Sequence, residues 1–384
     1  MQYRQFGKTG ENVSILGFGC MRLPVVGNQP EKIDIPKTEA MLNTAFDQGV
    51  NYFDTAYTYH KSMEPGVRKG RSEFVLGDIF RGSRRDQIFI ATKLPTFFIH
   101  EEKELSAILD EQLKALGIET IDFYLAHSLT KRTWDRMLTL GMLEFLQKAK
   151  DTGKVRHLGF SFHDDLAAFR EIVDAFDWEF AQIQYNYLDV AEQAGTEGLH
   201  YAASKGLGMV VMEPLRGGKL VLEQTQDIQD IWRASENDWT LAQRGLNFVW
   251  NDPAVSVILS GMSTMEQVQQ NIASANAFQA GCLSDAELAR YAQVRDLYWS
   301  RIAAPCTACQ YCMPCPQGVN IPENLNVLND IAMFGNVGLS KRMYEMLSAG
   351  ARADHCIQCG LCLSKCPQQI QIPDHMTDLT EKMK

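Results

Sequence analysis

The chain reads as an α/β protein: a (β/α)8 TIM barrel followed by a small, mainly helical, cysteine-rich domain. Three observations lead there. Eight short β-rich runs alternate with amphipathic stretches over the first 280 residues. Eight of the ten cysteines fall between Cys306 and Cys366. The length, 384 residues, accommodates one barrel of about 250 residues with a smaller domain behind it.

The strand candidates are Ile15–Cys20, Asn51–Asp54, Ile88–Thr92, Phe123–His127, Val155–Ser161, Phe180–Tyr185, Met209–Met212 and Val255–Leu259. Between them lie helical patterns such as Lys103–Leu116, Arg136–Lys150, Leu166–Phe176 and Gln267–Ala277. A doubly wound open sheet would need a GxGxxG turn after an early strand, and Gly17-Phe-Gly19-Cys20 does not supply one. The leading segments Tyr3–Phe6 and Asn12–Ile15 read as a hairpin closing the barrel floor. The domains expected are a barrel over 1–280, a linker helix over 281–300 and a cysteine-rich domain over 301–384.

In that last domain the second cysteine run is Cys356-x2-Cys359-x2-Cys362-x3-Cys366-Pro367, and the first is Cys306-x2-Cys309-x2-Cys312-x2-Cys315-Pro316, one residue shorter in its last gap. Thiols at three-residue steps are poorly spaced for disulfides but can turn inward from one loop onto a metal cluster. Paired CxxC units also suit zinc, but a third evenly spaced Cys and the Cys-Pro ending favour iron–sulfur. The runs resemble those of bacterial two-cluster ferredoxins. The resemblance implies two [4Fe–4S] clusters, one held by Cys306, Cys309, Cys312 and Cys366 and the other by Cys356, Cys359, Cys362 and Cys315. Ile321–Phe334 and Lys341–Leu347 between the runs have helical spacing, as in helical ferredoxin-like modules of larger redox enzymes.

Composition narrows the function classes. Hydrophobic residues make up 45% and charged residues 22%, which suits a packed core. A net charge of -10, with Arg81–Arg85 as the longest basic cluster, argues against nucleic acid. No apolar run approaches the ~20 residues that cross a bilayer, and the start lacks the apolar core of a secretory signal. The expectation is a cytoplasmic protein with no membrane partner.

In a barrel, chemistry gathers at the carboxyl ends of strands. Asp54 ends the second strand candidate, Tyr59 follows it, Lys93 follows the third and His127 ends the fourth. Each has an ordinary structural reading alone, Asp54 as a helix cap for instance. Together they place an acid, a phenol, an amine and an imidazole on one rim. An ammonium beside a phenol favours phenolate, so Lys93 is expected to pull Tyr59 below the usual phenol value of about 10. Tyr59 then serves as an acid/base beside a carbonyl that His127 orients.

This constellation resembles the aldo-keto reductase superfamily. The residues that carry the likeness are Asn51-Tyr-Phe-Asp54-Thr-Ala-Tyr-Thr-Tyr59, Gly70-Arg-Ser-Glu73, Ala91-Thr-Lys93, Tyr124-Leu-Ala-His127, Val155–Ser161, Gln182–Asn186, Glu213-Pro214-Leu215 and Gln267–Asn271. The resemblance implies catalytic roles for Asp54, Tyr59, Lys93 and His127, and NAD or NADP bound across the barrel mouth without a Rossmann domain. Ser161 and Gln182 would hold the carboxamide. Gly19, Cys20 and Met21, with Asp54 beside them, would line the nicotinamide pocket. Pro214, Leu215, Arg216 and Gly217 would follow the pyrophosphate. Ser260, Gly261, Gln267 and Asn271 would reach the adenosine end.

Met212 stands where many members place an aromatic ring, and Gly261 and Gln267 stand where NADP-preferring members carry basic residues. These departures admit NAD as readily as NADP, and FMN as an alternative occupant of the mouth. The insertion His60–Lys69 is expected to cover the pocket.

The implied activity interconverts a small-molecule carbonyl and an alcohol by hydride transfer, with Tyr59 as acid/base. Two clusters would relay single electrons to a ferredoxin or flavoprotein redox partner. The alternatives are a flavin-dependent iron–sulfur reductase, and a non-catalytic electron-transfer subunit with the barrel as docking scaffold.

Overall fold

A computed structural model of the chain describes residues 1–384 except Asn28, Met63 and Pro65, and leaves out the side chain of Leu339. The described chain divides into two compact units, 1–221 with 238–284, and 222–237 with 285–384.

The first unit opens with an antiparallel hairpin, β1 (Tyr3–Gln5) and β2 (Asn12–Ser14), which pairs Arg4 with Val13. Eight parallel strands follow: β3 (Leu16–Gly19), β4 (Tyr52–Asp54), β5 (Phe89–Leu94), β6 (Ile121–Leu129), β7 (Val155–Phe162), β8 (Phe180–Gln184), β9 (Gly208–Met212) and β10 (Val255–Ser260). They close in the order β10-β3-β4-β5-β6-β7-β8-β9. Each strand is almost wholly buried, as parallel strands covered by helices must be.

The hairpin plugs the floor. Phe6 packs inside the barrel against Tyr52, Phe123 and Phe180, with ring centroids 5.8, 4.7 and 5.5 Å away. Two glycines make room for it. A Cβ on Gly208 would fall 2.9 Å from the Phe6 ring, and one on Gly7 would fall 2.2 Å from the Gly208 nitrogen.

Side chains alternate along a strand, so the residue two beyond a floor residue faces inward one layer higher. Tyr52 and Ala91 line the floor cluster, and two residues on stand Asp54 and Lys93. The same step leads from Leu125 to His127, Phe180 to Gln182 and Val210 to Met212. The barrel's period-2 pattern thus delivers the polar residues to the upper layer.

Helices follow the sequence pattern with one correction. Lys103–Leu116 and Ile321–Phe334 form as expected. Arg136–Lys150 does not form one helix: Lys131–Thr139 and Met142–Asp151 are separated by Gly141, whose left-handed φ of 71° breaks the turn.

The second unit has its own core, formed by Leu325, Leu328, Ile372, Met376 and Leu379 from the helices Ile321–Phe334 and Ile372–Lys382. Both helices carry proline in the first turn, where a missing N–H costs nothing. The helix Asp285–Trp299, in the stretch expected as a linker, belongs to this unit. So does the excursion 222–237, whose Trp232 packs on Tyr291 with centroids 5.0 Å apart. Among the described residues no helix is long and apolar enough to cross a membrane.

Candidate active site and cysteine centre

Lys93 is fully buried, and its three Nζ–H donors are shared among four oxygens: Asp54 Oδ1 and Oδ2 at 2.7 Å each, the Thr55 carbonyl at 2.8 Å and the Tyr59 hydroxyl at 3.3 Å. A buried ammonium needs such a shell, because desolvation alone would discharge it. Burial pulls Lys93 down, but Asp54 and Tyr59 outweigh it and hold the amine above its ordinary value. Burial also pushes the Asp54 carboxyl up, against the pull of Lys93.

Tyr59 sits half-buried at the rim with the Lys93 ammonium 4.8 Å from its ring centroid. Its phenol is raised rather than lowered, contrary to the sequence expectation. Burial is the largest influence and Lys93 only partly offsets it. The phenol therefore stays protonated at neutral pH, the form a proton donor needs.

The backbone of Tyr59 is clasped. Its carbonyl accepts from the Arg71 and Ser72 N–H groups at 3.0 and 3.3 Å, at the start of the helix Ser72–Ile79, and Gly70 N–H donates to the Tyr57 carbonyl at 2.7 Å. A Cβ on Gly70 would lie 1.8 Å from the Tyr59 oxygen, so only glycine permits this approach. Gly70-Arg-Ser-Glu73 carries the family likeness in the sequence, but this use of Gly70 arises only from the folded backbone.

His127 faces Tyr59, with ring centroids 6.2 Å apart at 77°. Burial, then Lys93 and His163, hold its imidazole well below the usual value, so it is neutral. Its Nδ1 is buried without a hydrogen-bond partner among the described residues.

Behind Lys93, Glu73 Oε1 accepts from Thr92 Oγ1 at 2.6 Å and Gln112 Nε2 at 2.7 Å. Gln112 also donates to the Lys93 carbonyl at 3.0 Å and accepts from Tyr124 OH at 2.8 Å. This buried network fixes the strand that carries Lys93.

The residues expected around a dinucleotide line the same end of the barrel. Ser161 pairs with Gln182 in register and accepts from Ser128 N–H at 2.7 Å. Gln182 Nε2 lies 3.4 Å from the Met212 sulfur, and its Oε1 is buried with no partner among the described residues. That orphaned acceptor fits the amide N–H of a carboxamide. After Pro214 and Leu215 the backbone turns through left-handed residues Arg216, Gly217 and Gly218, which opens a close approach for phosphate. Arg216 Nε is 3.2 Å from Asp189.

Asn271 donates to Ser260 Oγ at 2.9 Å, and Gln267 accepts from Ser263 N–H at 2.8 Å. Gly19 packs against the Ser260 backbone, Met21 is exposed and the Cys20 side chain is fully buried. Arg22 belongs to no motif that marks it in the sequence. It lies against both Gly217 and Gly261, where added Cβ atoms would sit 3.4 and 3.1 Å from it, and so brings a cation to the Gly261–Gln267 loop, which has no basic residue of its own.

The insertion His60–Lys69 contains Met63 and Pro65, outside the described residues. Two of its cations turn to the helix Lys103–Leu116: Arg68 pairs with Glu104 at 3.1 Å and Lys69 with Glu111 at 3.3 Å. His60 is buried, with Leu23 N–H donating to its Nε2 at 3.2 Å and Nδ1 2.8 Å from the Pro30 carbonyl.

In the second unit the eight thiols surround two cavities. One is lined by Cys306, Cys309, Cys312 and Cys366. The other is lined by Cys315, Cys356, Cys359 and Cys362, with Cys312 lining both. Each run thus lends its fourth cysteine to the other run's cavity. Among the described residues no group of three or more His, Cys, Asp or Glu could hold a single metal ion. An all-thiol donor set spread around a cavity fits an iron–sulfur cluster.

Residues 15–296 match the Aldo/keto reductase family, and residues 305–370 match the 4Fe-4S dicluster domain. The chain belongs to the aldo/keto reductase family; it is an oxidoreductase whose barrel is joined to a 4Fe-4S domain. It is 25% identical over 300 residues to L-galactose dehydrogenase of Arabidopsis thaliana, a match covering 73% of this chain and 90% of that one. It is 24% identical over 321 residues to L-glyceraldehyde 3-phosphate reductase of Escherichia coli (strain K12), covering 72% and 88%. Its fold is like that of an aldo-keto reductase from Bacillus halodurans solved in holo form, with a TM-score of 0.62, 22% identity, and 76% of this chain and 96% of that chain covered.

Proposed function

We propose that the barrel interconverts a small-molecule carbonyl and its alcohol with NAD(H) or NADP(H), and that the cysteine-rich unit carries two [4Fe–4S] clusters exchanging single electrons with a ferredoxin or flavoprotein. The observation that carries the first part is the Lys93 amine held between the Asp54 carboxylate and the Tyr59 hydroxyl.

The dinucleotide, when bound, supplies or accepts the hydride. The protein's own residues do the rest. Ser161 and Gln182 hold the carboxamide end, the 214–218 turn admits the phosphates, and Arg22 and Arg216 offer them cations. Neutral His127 donates a hydrogen bond to the substrate oxygen and orients it toward Tyr59. The Tyr59 hydroxyl gives its proton to that oxygen as charge builds there, and the nearby Lys93 ammonium stabilises the phenolate left behind. In the alcohol direction the phenolate takes the proton back. Asp54 keeps the ammonium charged in a site that water does not reach.

Hydride moves two electrons and each cluster carries one, so the clusters do not take the hydride directly; a flavoprotein partner whose flavin accepts an electron pair from the reduced dinucleotide and passes it on one electron at a time would connect the two. The test uses anaerobically purified holoprotein, supplied with NADH or NADPH and a panel of aldehydes and ketones. Turnover of at least one carbonyl that disappears in Lys93→Met is expected; turnover that survives in Lys93→Met overturns the reading. For the relay, Cys359→Ser should lower ferredoxin- or dye-linked electron transfer, and undiminished transfer would remove it.

A further inference from the structure

The hydroxyl of Ser72 is fully buried and joins the two loops between which the reaction takes place. Thr55 Oγ1 donates to Ser72 Oγ at 2.8 Å, and Ser72 Oγ donates onward to the Cys20 carbonyl at 3.2 Å. Thr55 is itself an anchor of the ammonium, because its carbonyl accepts from Lys93 at 2.8 Å and its N–H donates to Ala91 at 2.8 Å. Cys20 begins the short turn Cys20–Arg22 on the expected nicotinamide side. The Ser72 N–H donates to the Tyr59 carbonyl. One residue, at the first position of the helix Ser72–Ile79, thereby holds the proton donor, the peptide that anchors its lysine, and the loop beneath the hydride carrier.

We propose that Ser72 is a positioning residue for the reaction, setting the distance between the Lys93–Tyr59 pair and the floor under the nicotinamide ring. It touches neither substrate nor cofactor and acts through Thr55 and Cys20. The inference rests on the dinucleotide-dependent reading given above. A chain of two buried hydroxyls suits this task. Each bond has a single direction: loss of the Ser72 hydroxyl leaves the buried Thr55 hydroxyl without this acceptor and the Cys20 carbonyl without this donor, and loss of the Thr55 hydroxyl leaves Ser72 tied to Cys20 alone.

The experiment compares Ser72→Ala, Ser72→Thr and Thr55→Val with wild-type holoenzyme and with Tyr59→Phe. Four quantities are read: dinucleotide affinity by fluorescence, kcat, the alkaline limb of alcohol oxidation, and the melting temperature. Ser72→Ala should lower kcat on the order of ten-fold, weaken dinucleotide binding several-fold and move the alkaline limb upward, because Lys93 no longer sits as close to Tyr59. Ser72→Thr should recover most of each loss. If Ser72→Ala does not fold, Thr55→Val breaks the same chain from the other side with no change of shape.

A Ser72→Ala or Thr55→Val enzyme with wild-type affinity and an unmoved limb, whether or not it melts earlier, overturns the proposal. Tyr59→Phe separates the two failures. Full turnover in that variant sinks the underlying mechanism, whereas its loss beside an unaffected Ser72→Ala sinks the positioning inference alone.

Discussion

The Nζ of Lys93 lies 2.7 Å from each carboxylate oxygen of Asp54, in a layer of the barrel where the two side chains are 0% and 3% exposed. So deep a pair is a liability unless both members stay. Lys93→Met leaves an unpaired buried carboxylate and should cost about 3–5 kcal/mol of stability. Adding Asp54→Asn to Lys93→Met should recover a large part of that. Urea unfolding of the two variants checks this, and equal stabilities would contradict the pairing.

The pH dependence should differ between directions. Reduction uses protonated Tyr59, and burial holds that phenol above its ordinary value despite Lys93. Reduction should therefore be flat between about pH 6 and 9, while oxidation, which needs the phenolate, climbs into the alkaline range. His127 is held neutral by burial and by Lys93, so neither direction should show a histidine limb near neutrality. Steady-state profiles in both directions test it.

Gly70→Ala should be among the most damaging single-atom changes near the rim. The new methyl would meet the Tyr59 carbonyl, and a displacement of about 1 Å at a reacting group can cost 10²-fold in rate. The expected result is a kcat loss of that order with dinucleotide affinity little changed, measured by single-turnover assay and binding titration.

How the two halves of the site could be read from sequence differs in kind. Asp54, Lys93 and His127 were legible because strand alternation and strand ends are local properties, and the cysteine runs because ligand spacing is written into the chain. Gly70 and Ser72 act by meeting the Tyr59 backbone and the Thr55 and Cys20 loops, contacts that exist only after the barrel closes. Arg22 followed the expected Gly19–Met21 stretch by one residue, yet its position against Gly217 and Gly261 is tertiary. The excursion 222–237 carries no composition signal that assigns it to the second unit. Lys93 as a charge was foreseen, but its net effect on Tyr59 was not, since desolvation has no signature in sequence.

At the barrel floor, Glu179 accepts from Leu158 N–H at 3.0 Å and Lys150 at 2.5 Å, and lies 2.7 Å from His157. Burial pushes its carboxyl up, but these bonds outweigh it and bring it down to about 2. A carboxyl depressed on folding stabilises above its unfolded value of about 4.5, and that contribution fades as the pH falls toward 2. The stability gap between wild type and Glu179→Gln should be full at pH 6 and close as the pH drops through that window. Urea midpoints read it, and a gap independent of pH would contradict it.

Reconstituted protein should hold about eight iron atoms per chain, four to a cluster. Because Cys366 lines the cavity of the first run, Cys366→Ser should lower iron to about four and leave the cluster of the second run spectroscopically intact. Iron analysis with electron paramagnetic resonance decides it; loss of the second run's signal instead would overturn the crossed arrangement.

The most direct measurement is kcat and dinucleotide affinity of Tyr59→Phe on one preparation. A fall of about 10²–10⁴ in kcat for carbonyl reduction, with affinity and melting temperature held, is what a proton-donating Tyr59 predicts. A Tyr59→Phe enzyme that turns over at the wild-type rate would contradict it.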